Sequence, residues 1–176
     1  VVSQLKVNEI IKQSGSSITI GVDGDTVSGP FTMVPAFEAH SNADQTISNN
    51  TYTKVSLQTE IFDTDSKYDN STYRFTPTIA GKYFVYGSAR FQAEDSQMLF
   101  GQTAIYKNGS IYAERMIDFR SNNGTQMSVD ISVIIDMDSN DYVELYGKIY
   151  RGGSGSIKIE TDNKSTNFGA FRIIGA

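Results

Sequence analysis

Residues able to do covalent chemistry are sparse in this sequence. It holds one histidine, His40, and no cysteine, which excludes cysteine nucleophiles, thiolate metal sites and disulfide frameworks. A histidine-centred triad would rest on His40 alone. That residue closes the run Met33-Val34-Pro35-Ala36-Phe37-Glu38-Ala39-His40, which reads as a strand, and a solvent-facing strand end accounts for it. Asp136-Met137-Asp138-Ser139-Asn140-Asp141 begins with the oxygen ligands of a calcium loop, yet Asp141 stands where glycine is needed and Gly147 where glutamate is needed. Asp63-Thr64-Asp65-Ser66-Lys67 fails sooner, because Lys67 occupies a ligand place. Aspartates are spread over nearly every turn, with nothing to set the fixed carboxylate separation that glycoside hydrolysis requires. Asn49, Asn70, Asn108, Asn123 and Asn163 each head an Asn-x-Ser/Thr triplet, and turn chemistry explains them. The expectation is a protein with no catalytic residue, no cofactor and no metal, and therefore not an enzyme.

The elements that carry these residues read as strands. Ten Phe, ten Tyr and fifteen Gly, with no Trp and 20% charged residues, lean toward an all-β domain. In the stretch from Phe62 to Phe91, aromatic and β-branched residues fill the extended pieces, while Asp, Asn, Ser and Gly fill the joints. Pro77 and Gly81 bracket a connection there that neither neighbouring strand can continue. Beyond Met98 the strands lengthen: Met98 to Lys107, Ile111 to Arg120, and Gln126 to Met137, joined at Asn108-Gly109 and Ser121-Asn122-Asn123-Gly124. Asn-Gly pairs are strong hairpin signals. Val129, Ile131, Val133, Ile135 and Met137 alternate with polar residues, interrupted only by Ile134, so one face is core.

From Asp141 to Tyr150, Val143, Leu145, Gly147 and Ile149 form a core face, and Tyr142, Tyr146 and Tyr150 line the opposite one. Tyrosine is apolar along its body and polar at its tip, so this stripe is expected at a subunit or ligand interface. In the strand from Gly81, the set Tyr83, Val85, Gly87, Ala89 and Phe91 shares one face, and Phe84, Tyr86, Ser88 and Arg90 share the other.

Residues 1–33 differ in rhythm. Leu5, Val7, Ile10, Ile11, Ile18 and Ile20 occur in short apolar bursts separated by Ser and Gly joints, a pattern that closes no core and reads as an attachment arm. The net charge of −5 and scattered basic residues argue against nucleic-acid binding. No apolar run reaches the ~18 residues of a membrane span, so membrane insertion is not expected.

The run FDTDSKYDNSTYRFTPTIAGKYFVYGSARF resembles the signature of the globular heads of complement C1q: a Phe, a Tyr-Asp turn, Phe-Thr-x-Pro, then Gly-x-Tyr-x-Phe. PAFEA is similar to that family's first strand, and NFGAFRII to its last, with Arg172 where the family is usually apolar. The resemblance implies an antiparallel two-sheet jelly roll of the C1q and tumour necrosis factor kind over residues 34–176, assembled as a homotrimer. It implies Tyr83, Val85, Gly87, Ala89 and Phe91 in the core, with Phe84 and Tyr86 facing sister subunits; the Tyr142, Tyr146 and Tyr150 stripe is expected at the trimer interface with them. Some relatives bind calcium near the trimer axis, but no motif carries that site over.

No Gly-x-y collagen repeat precedes the head. LKVNEIIKQSGSSITIGVDGDTVSG instead resembles the N-terminal segments of bacteriophage fibre and appendage proteins. The expected function is a virion structural protein, a tail fibre, spike or head fibre, joined to other virion proteins through its arm and contacting a host surface glycan or protein. The alternative is a secreted, extracellular C1q-like ligand or adhesin. Receptor contacts are expected at the loop end away from the arm, from Glu94, Asp95, Gln97, Asn122, Asn123 and Arg151, whose side chains suit hydrogen bonding to a sugar or polar loop.

Overall fold

The structure, a computed structural model, describes residues 33–95, 97–162 and 164–173. The arm residues Leu5, Val7, Ile10, Ile11, Ile18 and Ile20 lie outside the described residues, and Met33–Ala176 forms one compact unit. Its described residues hold only strands as regular elements. They are β1 (Ala36–His40), β2 (Gln45–Thr46), β3 (Thr53–Lys54), β4 (Thr59–Asp63), β5 (Tyr68–Asp69), β6 (Arg74–Phe75) and β7 (Gly81–Ala93). There follow β8 (Met98–Lys107), β9 (Ser110–Asp118), β10 (Gln126–Met137), β11 (Val143–Arg151), β12 (Ile157–Glu160) and β13 (Asn167–Arg172).

Two antiparallel sheets face each other. Sheet A has seven strands in the order β2-β12-β7-β13-β1-β4, with β10 along the other side of β7. Sheet B has six, in the order β5-β6-β11-β8-β9, with β3 also on β11. The long β7 organises sheet A: it pairs with β10 from Gly81 to Gln92, with β13 from Tyr83 to Ser88, and with β12 from Arg90 to Ala93.

Alternation chooses the faces. Tyr83, Val85, Ala89 and Phe91 of β7 are buried, as are Met127, Val129, Ile131, Ile135 and Met137 of β10; Val133 is only partly buried. Phe37 anchors one end of the core, stacked on Tyr68 at 4.7 Å and Phe75 at 4.6 Å and meeting Phe168 edge-on at 5.2 Å. The two tyrosine hydroxyls at the core are satisfied, Tyr68 donating to the Leu57 carbonyl (2.8 Å) and Tyr83 to the Ile79 carbonyl (2.6 Å).

The sheets approach closely where glycine stands. A Cβ on Gly147 would lie 2.8 Å from Phe91 Cε1 and 2.9 Å from Ile159 Cδ1. Gly147→Ala should therefore cost about 1–3 kcal/mol by overpacking, read as a lower urea midpoint with an unchanged m-value. A midpoint equal to wild type would show that Phe91 and Ile159 have room to shift.

The connections depart from the sequence reading in one respect. Asn108 (φ 51°) and Gly109 (φ 79°) make the hairpin between β8 and β9, because both residues tolerate positive φ. Asn123-Gly124 makes no hairpin: β9 pairs with β8, β10 pairs with β7, and the chain passes from sheet B to sheet A at this turn. Gly124 instead exchanges backbone hydrogen bonds with Met98 at 3.1 and 3.2 Å. The turn after Met137 likewise crosses back to sheet B. The short strands β2, β3 and β12 were not anticipated, since two to four residues carry too little alternation to register.

Candidate interaction surfaces

His40 and the two aspartate-rich segments lie at strand ends and in turns. His40 is half-buried at the end of β1, and its Nδ1 donates to the Ser41 carbonyl at 2.9 Å. In the calcium-like segment, Asp141 accepts from the Asp138 amide (2.8 Å) and the Asn108 side chain (2.6 Å) and pairs with Lys107 Nζ at 2.8 Å. The Lys107 ammonium, with help from those donors, holds the Asp141 carboxyl down at about 2. A lysine thus sits where a cation would. Asp63 accepts from the Asp65 and Tyr68 amides, closing its own turn.

The aromatic residues expected at one interface fall on opposite outer faces of the sandwich. Phe84 and Tyr86 lie on the outer face of sheet A, where Phe84 packs on Phe171 at 5.3 Å and stands in register between Ile134 and Phe171. Tyr86 donates to Glu38 at 3.1 Å, and burial together with that carboxylate pushes its phenol up to about 12. Tyr142, Tyr146 and Tyr150 lie on the outer face of sheet B, following the alternation of β11 against buried Val143, Leu145 and Ile149.

A surface that the sequence reading missed joins the two sheets. β9 and β10 are free edges of sheets B and A on the same side of the sandwich, and the Tyr112 hydroxyl donates across to the Ile134 carbonyl at 3.3 Å. Along them Ile111, Tyr112, Met116, Ile117 and Ile134 are exposed, Ile134 at 57%. Almost every residue of β9 is exposed, on both of its faces. The signal was legible: β9 carries Ile111 and Ile117 on one parity and Tyr112 and Met116 on the other, and Ile134 breaks an otherwise regular alternation. On the far edge of sheet A, Ile61 (43%) and Phe62 (44%) of β4 are exposed as well. Apolar edge strands left open invite pairing with another chain.

The outer face of sheet B is aromatic and carries charges of both signs. Tyr146 stacks on Tyr106 at 3.8 Å, Tyr52 meets Tyr106 edge-on at 6.0 Å, and Phe100 lies 5.3 Å from Tyr150. Burial pushes the Tyr52, Tyr106 and Tyr146 phenols up, so they remain donors. Glu144, 1% exposed, is held by Lys54 at 2.5 Å and Arg74 at 2.6 Å. Arg74 in turn covers the Tyr142 ring at 4.2 Å. Lys148 Nζ lies 4.3 Å from the Tyr52 centroid and 5.6 Å from that of Phe100.

At the end of the sandwich away from Pro35 and Arg172, the turns at 92–97, 121–124 and 151–156 come together. Glu94 N bonds to Ser156 O, Gly152 N to Gln97 O, and Met98 N to Gly124 O. Glu94, Asp95, Gln97 and Asn122 are exposed there, and Asn123 is half-buried. Arg151 is not exposed with them. It is 2% exposed, and its Nη2 donates to both Asp95 oxygens at 2.7 and 2.8 Å, so its charge clamps the loops together. Asp95→Ala would strand this buried guanidinium and should lower stability by about 1–3 kcal/mol, whereas Glu94→Ala should leave the melting midpoint in place. Equal midpoints for the two variants would show that the clamp does not hold.

No family model matches the chain. Among curated proteins it is similar to an uncharacterized protein, YqcC, of Bacillus subtilis, at 24% identity over 152 residues. That match covers 82% of this chain, which spans 41% of the length of its relative. Among solved structures, the globular domain of zebrafish complement 1qA superposes with a TM-score of 0.54 at 14% identity, covering 79% of this chain and 96% of that one. The Eiger TNF of S. frugiperda gives 0.61 at 10% identity, covering 80% and 93%. Murine APRIL gives 0.57 at 10% identity, covering 78% and 98%. At such identities the likeness concerns the fold, and the fold is that of the C1q and tumour necrosis factor heads.

Proposed function

We propose that this chain is a non-enzymatic, trimeric structural head of a bacteriophage virion protein, a tail fibre, spike or head fibre, whose residues 1–33 attach it to other virion proteins and whose head contacts the host surface. The observation that carries the assembly is the pair of apolar edges. Ile111, Tyr112, Met116, Ile117 and Ile134 line one side of the sandwich, and Ile61 and Phe62 the other. Two different patches on two different sides favour a head-to-tail contact over a twofold one, and a head-to-tail contact that closes makes a ring. Three copies is the number that the C1q resemblance implies. Phe84, Tyr86 and Phe171 continue the apolar strip beyond Ile134 across sheet A and belong to the same interface. Tyr142, Tyr146 and Tyr150, on the opposite face, do not.

The viral setting is supported by the likeness of the N-terminal segment to phage appendage proteins. The experiment is twofold: the mass of the full chain by light scattering at micromolar concentration, and its detection in purified particles. A trimer present in virions is expected. A monomer would sink the assembly. A trimer absent from particles and exported through a cleaved signal peptide would make it a secreted C1q-like adhesin instead.

A further inference from the structure

The outer face of sheet B takes no part in the proposed ring, yet it is built as a binding surface. Around Lys148 the half-buried rings of Tyr52, Phe100 and Tyr150 stand together on the sheet. Lys148 makes no ion pair among the described residues, and its ammonium is held by ring faces alone. Its neighbours are otherwise matched. Glu144 is shared by two cations, and Glu114 accepts the Tyr52 hydroxyl. Glu114 has no cation partner among the described residues, and Asp118, opposite Phe100 on the neighbouring strand, pairs with Arg120, so Lys148 is the cation of this face that no carboxylate holds.

We infer that this surface binds an anionic sugar polymer, with pyranose faces lying against Tyr52, Phe100 and Tyr150 and a sugar carboxylate or phosphate on Lys148. A ring face is matched by the apolar C–H face of a sugar, and the Tyr150 hydroxyl can hydrogen-bond at its rim. An acidic peptide fits less well. Peptides add to a free strand edge or fill a groove, and here the backbones of β8 and β11 are already paired with each other in the middle of a sheet. Lys148, which no carboxylate pairs among the described residues, makes an anionic polymer the complementary one.

This inference names the ligand class for the host contact proposed above and rests on that reading. The full-length chain is titrated with polygalacturonate, with its methyl ester, which has the same ring but no charge, and with polyglutamate, which has the charge but no ring. Polygalacturonate should bind at least tenfold more tightly than either. Lys148→Met and Tyr150→Ala should each weaken binding at least tenfold, and Lys148→Arg should retain it, which guards against a variant that merely fails to fold. A polysaccharide phosphate that competes with polygalacturonate would make the second anion the better match without changing the site. Equal binding of the methyl ester, equal binding of polyglutamate, unchanged affinity of Lys148→Met, or no binding of polygalacturonate would each overturn the inference. Trimer mass and presence in virions are separate readouts, so failure here is distinguishable from failure of the proposed function.

Discussion

Ile134→Asp should convert the assembled protein to monomers at micromolar concentration while leaving each head folded. Ile134 is 57% exposed in the isolated chain and stands at the corner where the two free edges meet the apolar row of Phe84 and Phe171. Burying it between copies contributes roughly 1.5–3 kcal/mol at each interface. A carboxylate there loses that contribution and is itself desolvated without a partner, at a cost of several kcal/mol. It would also stand on a strand face that already carries Asp130 and Asp136, adding repulsion. A combined loss of even ~4 kcal/mol per interface is close to a thousandfold in its equilibrium constant. Inside the monomer the side chain at 134 is more than half exposed on a strand edge, so far-UV circular dichroism should not change. Ile134→Leu, which keeps the apolar surface, should remain assembled. Light scattering decides: an Ile134→Asp protein of unchanged mass would remove the β9 and β10 edges from the interface.

Phe37→Ala should be the most damaging single substitution in the core, costing about 3–5 kcal/mol against a total stability of ~5–15 kcal/mol for a domain of this kind. Phe37 is 0% exposed and touches rings from three other parts of the chain: Tyr68 of β5, Phe75 of β6 and Phe168 of β13. It therefore joins the two sheets where the strands of sheet B are shortest. Removing it leaves a cavity walled by rings that cannot collapse together without moving their strands. Urea denaturation of Phe37→Ala in an Ile134→Asp background would separate fold stability from assembly. A loss below about 1 kcal/mol in that background would show that this end of the sandwich repacks freely.

Much of the fold was legible because a strand's side chains alternate with a period of two, whatever the strand pairs with. The faces of β7, β10 and β11 follow directly from Tyr83-Val85-Ala89-Phe91, Val129-Ile131-Ile135-Met137 and Val143-Leu145-Ile149, and each of these residues is buried. Asn108-Gly109 made its hairpin because both residues take positive φ within their own two positions.

Tertiary structure decided what lies above each face, and local pattern has no means of expressing that. Glu144 sits on the polar parity of β11 and is nevertheless 1% exposed, because Lys54 and Arg74 arrive from segments 90 and 70 residues away in sequence to cover it. Arg151 reads as a loop donor until Asp95, from the turn after β7, closes over its guanidinium. The aromatic residues Phe84, Tyr86, Tyr142, Tyr146 and Tyr150 share a chemical type but not a surface, since β7 and β11 belong to different sheets. Asn123-Gly124 has the composition of a hairpin turn, but the strands that flank it find better partners in β8 and β7. By itself the sequence determined which side of each strand is apolar, through steric alternation that acts between neighbours. Which strands meet, and hence which polar groups are buried and which apolar edges stay open, was decided by contacts between residues tens of positions apart, whose energies depend on the whole sandwich being closed.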